Sequence, residues 1–265
     1  MSRSGFYNWL RQRDTQTPRA KARSVRDERV KDAFHQSKAR SGARRIQAEL
    51  QEIGHSHDIK SIADSMKRQN LVPKAARKFK VTTDSRHHLP VAPNLLQQDF
   101  SASSVNQKWV GDITYLLTSE GWLYLAVVLD LYSRQVIGWS MSSRMTAKLT
   151  CDALKMALLK RGSPQQVIFH SDRGSQYCSA AYRDLMQRYD MRQSMSRKGN
   201  CWDNACAESF FHSLKVESIQ GEELMDKKMM RQNVFEYIEI DYNKKRRHSA
   251  LGYLSPVNFE MKNVA

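Results

Sequence analysis

Asp112, Asp172 and Glu208 are carboxylates in places where a carboxylate needs a reason. Asp112 sits inside the strand-forming run "KWVGDITYLL", between Gly111 and the β-favouring "ITY". Asp172 ends the apolar run "QVIFHSD" and precedes the polar "RGSQ", at the carboxyl end of a strand, where sites in α/β sheets collect. Glu208 follows after 35 intervening residues, in "GNCWDNACAESFFHSLKVE", on a helix able to pack beside the same strand ends. Three convergent carboxylates repel one another unless cations neutralise them, and an all-oxygen donor set suits Mg²⁺ or Mn²⁺ far better than zinc. Two such ions about 4 Å apart activate a nucleophile on one side of a phosphodiester and stabilise the leaving oxygen on the other. Taken singly, each acid also fits a cap or a surface pair, the reading that suits Asp130 and Asp152.

The elements that must position these acids are legible in the hydrophobic pattern. "KWVGDITYLL", "WLYLAVVLDLYS" and "QVIGWSMSS", separated by short polar turns, read as an antiparallel meander. A helix with Ala147, Leu149, Ala153, Leu154, Ala157 and Leu158 on one face follows, then the strand "QVIFHSD", a helix around Ala181 to Arg188, a short strand at "MRQSMS" and a helix from about Asp203. Three antiparallel strands followed by alternating helices and strands predict an α/β fold with a mixed five-stranded sheet covered by helices.

Upstream the pattern is helical and basic. Val30 and Phe34 precede a basic turn, Ile46, Leu50 and Ile53 recur at helical spacing, and Asp58 caps a further helix with Ile59, Ile62, Ala63 and Met66. This helix-turn-helix pattern places Arg44, Arg45, Lys60, Lys67 and Arg68 on exposed faces, which suits DNA binding. Of the net +16, residues 1–95 carry +12 (21 Lys+Arg against 9 Asp+Glu) and the rest +4 (22 against 18). So concentrated an excess attracts a phosphate backbone by counterion release. We therefore expect a basic segment over 1–24, a helix-turn-helix-like DNA-binding domain over 25–70, a polar linker over 71–104, a catalytic core over 105–220 and a basic helical extension over 221–265. The four cysteines form no CxxC pair and fit free thiols. With no apolar run of about 18 residues and no apolar amino-terminal stretch, the expectation is a cytoplasmic protein without a membrane span.

"WVGDITYL", "HSDRGSQY", "GNCWDNACAESFFHSLKVE" and "YNKKRRHSALGYLSP", with "SRSGFYNWL" and "GARRIQAEL" upstream, resemble the second-frame transposases of the bacterial insertion-sequence three family, members of the DDE superfamily that includes retroviral integrases. The resemblance implies a ribonuclease H-like core whose Asp112, Asp172 and Glu208 bind two divalent ions, Mg²⁺ with Mn²⁺ as a substitute, and catalyse DNA strand cleavage and strand transfer. It matches Lys215, two helical turns past Glu208, to a lysine that binds the DNA end, and it favours DNA for the closing run with Arg246 and Arg247. Read from position alone, Asn204 shares the face of Glu208 and either orients the carboxylate or contacts DNA. His170, Arg173 and Gln176 flank the second acid near phosphate, and Trp202 reads as packing. The resemblance also implies an upstream-frame product as fusion or complex, and a homo-oligomer on DNA. A non-catalytic DNA-binding relative and a ribonuclease H-like nuclease without strand transfer are the alternatives.

Overall fold

The computed structural model describes residues 2–12, 17–74, 90–197 and 201–263. The chain divides into two compact units, Met1–Ala75 and Ala76–Ala265.

The first unit is helical: α1 (Arg3–Gln12), α2 (Pro18–Gln36), α3 (Ala43–Glu52) and α4 (Ile59–Arg68). Thr17 caps α2 by accepting from the Ala20 N–H, with Pro18 in the first turn, where its missing N–H removes nothing. Asp58 caps α4 by accepting from Ser61 N at 2.8 Å, as its place before the apolar run predicts. Val30, Phe34, Ile46, Leu50, Ile62 and Met66 converge as the core of α2, α3 and α4. Ile53 does not join them. It lies just past the end of α3 and is 65% exposed, because the helix stops before its spacing can return it to the core. Helix α2 also runs across residue 24, where composition alone placed a boundary.

The second unit carries the sheet. Strands β1 (Lys108–Thr118), β2 (Gly121–Asp130) and β3 (Val136–Ser142) form the antiparallel meander, followed by α5 (Ala147–Arg161), β4 (Ile168–Ser171), α6 (Ala180–Arg188) and β5 (Arg192–Met195). The strand order is β3-β2-β1-β4-β5, with β1–β4 and β4–β5 parallel. One face of the sheet packs on α5 and α6 around Trp109, Phe169 and Leu154. Gly138 permits this, since a Cβ there would overlap the Ala153 carbonyl and Ala157 on α5. The other face packs on α7 (Ala205–Leu214) and, through Met230, Val234, Tyr237, Ile238 and Tyr242, on α8 (Lys227–Glu236) and the π-helical stretch Tyr237–Lys245. The chain beyond residue 220 therefore shares the sheet's core and is not an appended basic extension. Its charge run masked an apolar stripe with helical spacing. Helix α9 (Pro256–Asn263) closes the described chain.

Candidate active site

β4 pairs with β1 only through Lys108, Trp109 and Val110. Past Val110 the two parallel strands part, and the crevice at their carboxyl ends receives Asp112 from β1 and Asp172 from the residue after β4. Gly111 makes the crossing possible, because a Cβ there would overlap the ring of Phe169 on β4. The Ile113 N–H donates to Asp112 Oδ1 at 2.8 Å, and the Gly174 N–H donates to Asp172 Oδ1 at 2.9 Å, so each carboxylate is held from its own backbone. Glu208 stands in the first turn of α7, on the sheet face that carries Asp112, with its side chain exposed.

Electrostatics ties the three together. Burial pushes the Asp112 carboxyl well above the usual range; Asp172 and, further down, Glu208 push it in the same direction, while the Ile113 N–H and Lys215 oppose them. Burial raises the Glu208 carboxyl too. Among the described residues, no three His, Cys, Asp or Glu side chains stand close enough to form a ready-made metal cage. Asp112 and Asp172 are the more strongly interacting pair, with Glu208 the outlying third. Tyr177 lies buried beneath: burial raises its hydroxyl pKa, with Tyr182, Asp112 and Asp172 adding to it. Sequence reasoning passed over this tyrosine, although it closes the quoted "HSDRGSQY".

Lys215 opens a π-helical turn, Lys215–Ile219, at the end of α7. Its Nζ lies 5.1 Å from the centroid of the Tyr115 ring, and burial lowers its pKa against the pull of Asp112. Asn204 is 4% exposed and donates through Nδ2 to the Gly111 carbonyl at 3.3 Å, with Oδ1 buried and unpartnered. So deep an amide braces the backbone beside Asp112 and does not reach DNA. The neighbouring Asp203, unremarked in the sequence, is fully buried and accepts from Asn94, Gln98 and the Arg197 N–H. Burial alone would raise its pKa; these donors outweigh it and the net shift is downward. Asp203 thus ties the start of α7 to the segment that precedes β1.

Other expected contacts are placed differently. Arg173 donates through Nε to the Ser196 carbonyl at 2.7 Å, joining the loop after β4 to the end of β5. His170 is buried between the hydroxyls of Ser194 and Ser196, its pKa pushed down by burial to about 4, so it packs the sheet and touches no phosphate. Gln176 donates to the Met145 carbonyl. The Trp202 side chain and residues 75–89 of the expected linker lie outside the described residues. Asp152 pairs with Lys148 at 2.6 Å on the surface, as read, but Asp130 is fully buried, accepting from the Asn106 and Tyr132 N–H groups with Arg161 near it, and is not a surface acid.

Arg246 is the main correction. It is half-buried against the buried Glu217, with Nε and Nη2 on that carboxylate at 2.9–3.0 Å and Nη2 on Ser213 at 2.8 Å, while Tyr237 donates to the same carboxylate. Burial alone would lower its pKa; Glu217 outweighs that, so the net shift is upward. A guanidinium so engaged locks the π turn after Lys215 to the closing segment and is not presented to DNA. Arg247 donates to the Tyr253 carbonyl at 3.1 Å. In the helical unit, Arg44 and Lys60 are exposed, and Arg45 is half-buried with a bond to the Arg40 carbonyl.

Comparison with known proteins agrees with this geometry. The integrase core domain matches residues 102–201, and a second integrase core family matches residues 208–264. The transposase InsF of insertion sequence IS3A from Escherichia coli (strain K12) is 56% identical over 265 residues, all of this chain and 92% of its own length. The insertion element IS600 uncharacterized 31 kDa protein of Shigella sonnei is 44% identical over 262 residues, covering 99% of this chain and 96% of that one. In structure, a chain of the simian T-cell lymphotropic virus intasome, solved in complex with PP2A regulatory subunit B56 gamma, aligns with TM-score 0.50 at 16% identity, over 80% of this chain and 69% of that chain. The fold and crevice define a ribonuclease H-like polynucleotidyl transferase core of the integrase class. The chain belongs to the IS3 family of insertion-sequence transposases. Among the described residues, no helix is long and apolar enough to cross a membrane.

Proposed function

We propose that Asp112, Asp172 and Glu208 are the catalytic carboxylates of this transposase and that they hold two Mg²⁺ ions, with Mn²⁺ as a substitute, for cleavage and joining of element ends. The observation that carries this reading is the crevice itself: a half-buried carboxylate on β1 whose charge is opposed by burial, by Asp172 and by Glu208. The donor set fits hard divalent cations, being all oxygen and in excess of negative charge. Such ions, when bound, supply charge neutralisation at the attacking and leaving oxygens of a phosphodiester. The protein's own groups do the positioning. Gly111 and Asn204 fix the backbone that aims Asp112, Gly174 holds Asp172, and α7 carries Glu208 to the same crevice. Lys215 adds a cation beside Asp112 suited to a terminal phosphate. Water attacks the element-end phosphorus first, with departure of the 3′ oxygen. The freed 3′-hydroxyl then attacks the phosphorus of a second phosphodiester, forming a new P–O bond as the bond to that phosphate's own 3′ oxygen breaks and that oxygen leaves as a hydroxyl, and no covalent bond to the enzyme forms. In this reading the upstream-frame product, as fusion or complex, supplies end recognition, and the enzyme works as a homo-oligomer on cytoplasmic DNA.

The test is cleavage and joining of radiolabelled element ends in Mg²⁺, with and without the upstream-frame product. Asp112→Asn, Asp172→Asn and Glu208→Gln are each expected to lower both steps by about a thousandfold or more, roughly 4 kcal/mol of barrier, with DNA affinity retained. Near-normal cleavage by any one variant at saturating Mg²⁺ removes that residue from the centre.

A further inference from the structure

The β1–β2 hairpin carries large apolar side chains outward beside the crevice. Leu117 and Trp122 face each other across the hairpin and are 51% and 47% exposed, and Tyr115 and Tyr124 form the next pair on the same face. The Trp122 and Tyr115 rings stand perpendicular with centroids 5.1 Å apart. The Tyr115 ring also lies 5.1 Å from Lys215 Nζ, and that ammonium feels Asp112. One contiguous arrangement thus runs from an exposed indole, through a bracing tyrosine, to a cation and then to the crevice carboxylate.

We propose that Trp122, braced by Tyr115, is a stacking platform for an unpaired nucleobase of the DNA strand whose phosphate lies in the crevice. An exposed tryptophan beside an exposed leucine calls for a ligand, since folding gains nothing from leaving an indole in water. The neighbouring charge selects the ligand's class. Lys215 suits an anion, so the occupant pairs a flat apolar surface with a phosphate, which is the chemistry of a single-stranded nucleotide and not of an apolar protein surface. Reach agrees. Trp122 stands opposite Leu117, five positions along β1 from Asp112, about 17 Å of strand, and stacked nucleotides in one strand are spaced about 3.4 Å apart. The base involved therefore belongs to one of the first few nucleotides next to the reacting phosphate, where a strand end is most easily unpaired. This inference rests on DNA occupying the crevice but not on which residues cut it.

The test is the affinity of the full chain for a duplex with a pre-cleaved end, alone and with an abasic site at each of about five nucleotides adjoining the reacting phosphate, the number that the strand distance to Trp122 spans. With a 3′-deoxy terminus on the pre-cleaved strand the joining nucleophile is missing whichever residues catalyse, so binding is read without strand transfer and failure of the catalytic assignment does not affect the result. Trp122→Ala is expected to weaken binding about tenfold, with most of the affinity kept by Trp122→Phe. On DNA abasic at the stacked position, the Trp122→Ala penalty should vanish, because the base it lost is already gone. A penalty that persists at every abasic position overturns the proposal. So does one that appears together with a changed oligomeric state in sedimentation, which would assign the indole to a protein contact.

Discussion

The two units use charge in opposite ways. In the helical unit, Arg44 and Lys60 are exposed to solvent, the core cluster of α2, α3 and α4 is apolar, and the charge pair of Arg68 with Asp27 lies at the surface. In the sheet unit, charged groups are drawn inward and partnered: Arg246 with Glu217, Asp203 with Asn94, Gln98 and Arg197, and Asp130 with the Asn106 and Tyr132 N–H groups. A solvated lysine or arginine is available to a phosphate and adds little to stability. A buried one holds elements in register and is unavailable to DNA. Counting cations along a chain thus locates attraction for DNA only where the cations remain unburied, and the net +4 of residues 96–265 understates how much charge that unit invests in its own structure.

The comparison breaks first at Arg246. Arg246→Ala leaves the Glu217 carboxylate buried without its cation, and such a loss destabilises by about 3–5 kcal/mol. Urea unfolding of the full chain measures this directly. A change below about 1 kcal/mol would place Arg246 with the solvated cations. The sharper variant is Glu217→Gln with Arg246→Met, which removes both charges together and is expected to recover part of the loss. Joining of a pre-cleaved end then asks whether the π turn bearing Lys215 depends on the pair's charge or only on its packing.

Asp203 gives a smaller effect with a defined dependence on pH. Its folded pKa lies below the ordinary carboxylate value of 3.8, so its contribution is fully present above that value and is lost as pH falls through the folded pKa. Asp203→Asn keeps the shape but turns an acceptor oxygen into a donor facing other donors, at about 1–3 kcal/mol near neutral pH. Below pH 4 the gap between wild type and variant should narrow. Parallel stability curves across that window would deny Asp203 its charged role.

What the sequence made legible follows the same division. Apolar strands bounded by polar turns are local signals, and all five strands and α5 to α7 fall where the runs predict. Asp112 and Asp172 stand out because a carboxylate within or at the end of an apolar strand has no cheap explanation. Arg246 was misread because its partner lies 29 positions away, so a basic run looked solvated. Asp203 was missed because its partners lie 109 and 105 positions upstream. Ile53 obeyed the helical period but fell beyond the helix end, a stop that Gly54 announces by taking up the left-handed conformation just after it. Pairings across the chain depend on topology, and topology was inferred only as a class.

The smallest expected effect belongs to the helical unit and tests the other side of the comparison. Arg44 on α3 and Lys60 on α4 are exposed, so Arg44→Ala and Lys60→Ala should each change stability by no more than about 0.5 kcal/mol. If they contact phosphate, each loss removes one released counterion and makes the slope of log affinity against log salt shallower by about 1, with little dependence on DNA sequence. Arg45, half-buried and bonded to the Arg40 carbonyl, should differ by losing stability along with any affinity. The measurement is a salt titration of binding to element-end and unrelated duplexes, run on each variant beside its urea curve. Slopes that stay at the wild-type value for both Arg44→Ala and Lys60→Ala would make the +12 of the first 95 residues a general surface property, leaving this chain's own phosphate contacts to the crevice and the hairpin beside it.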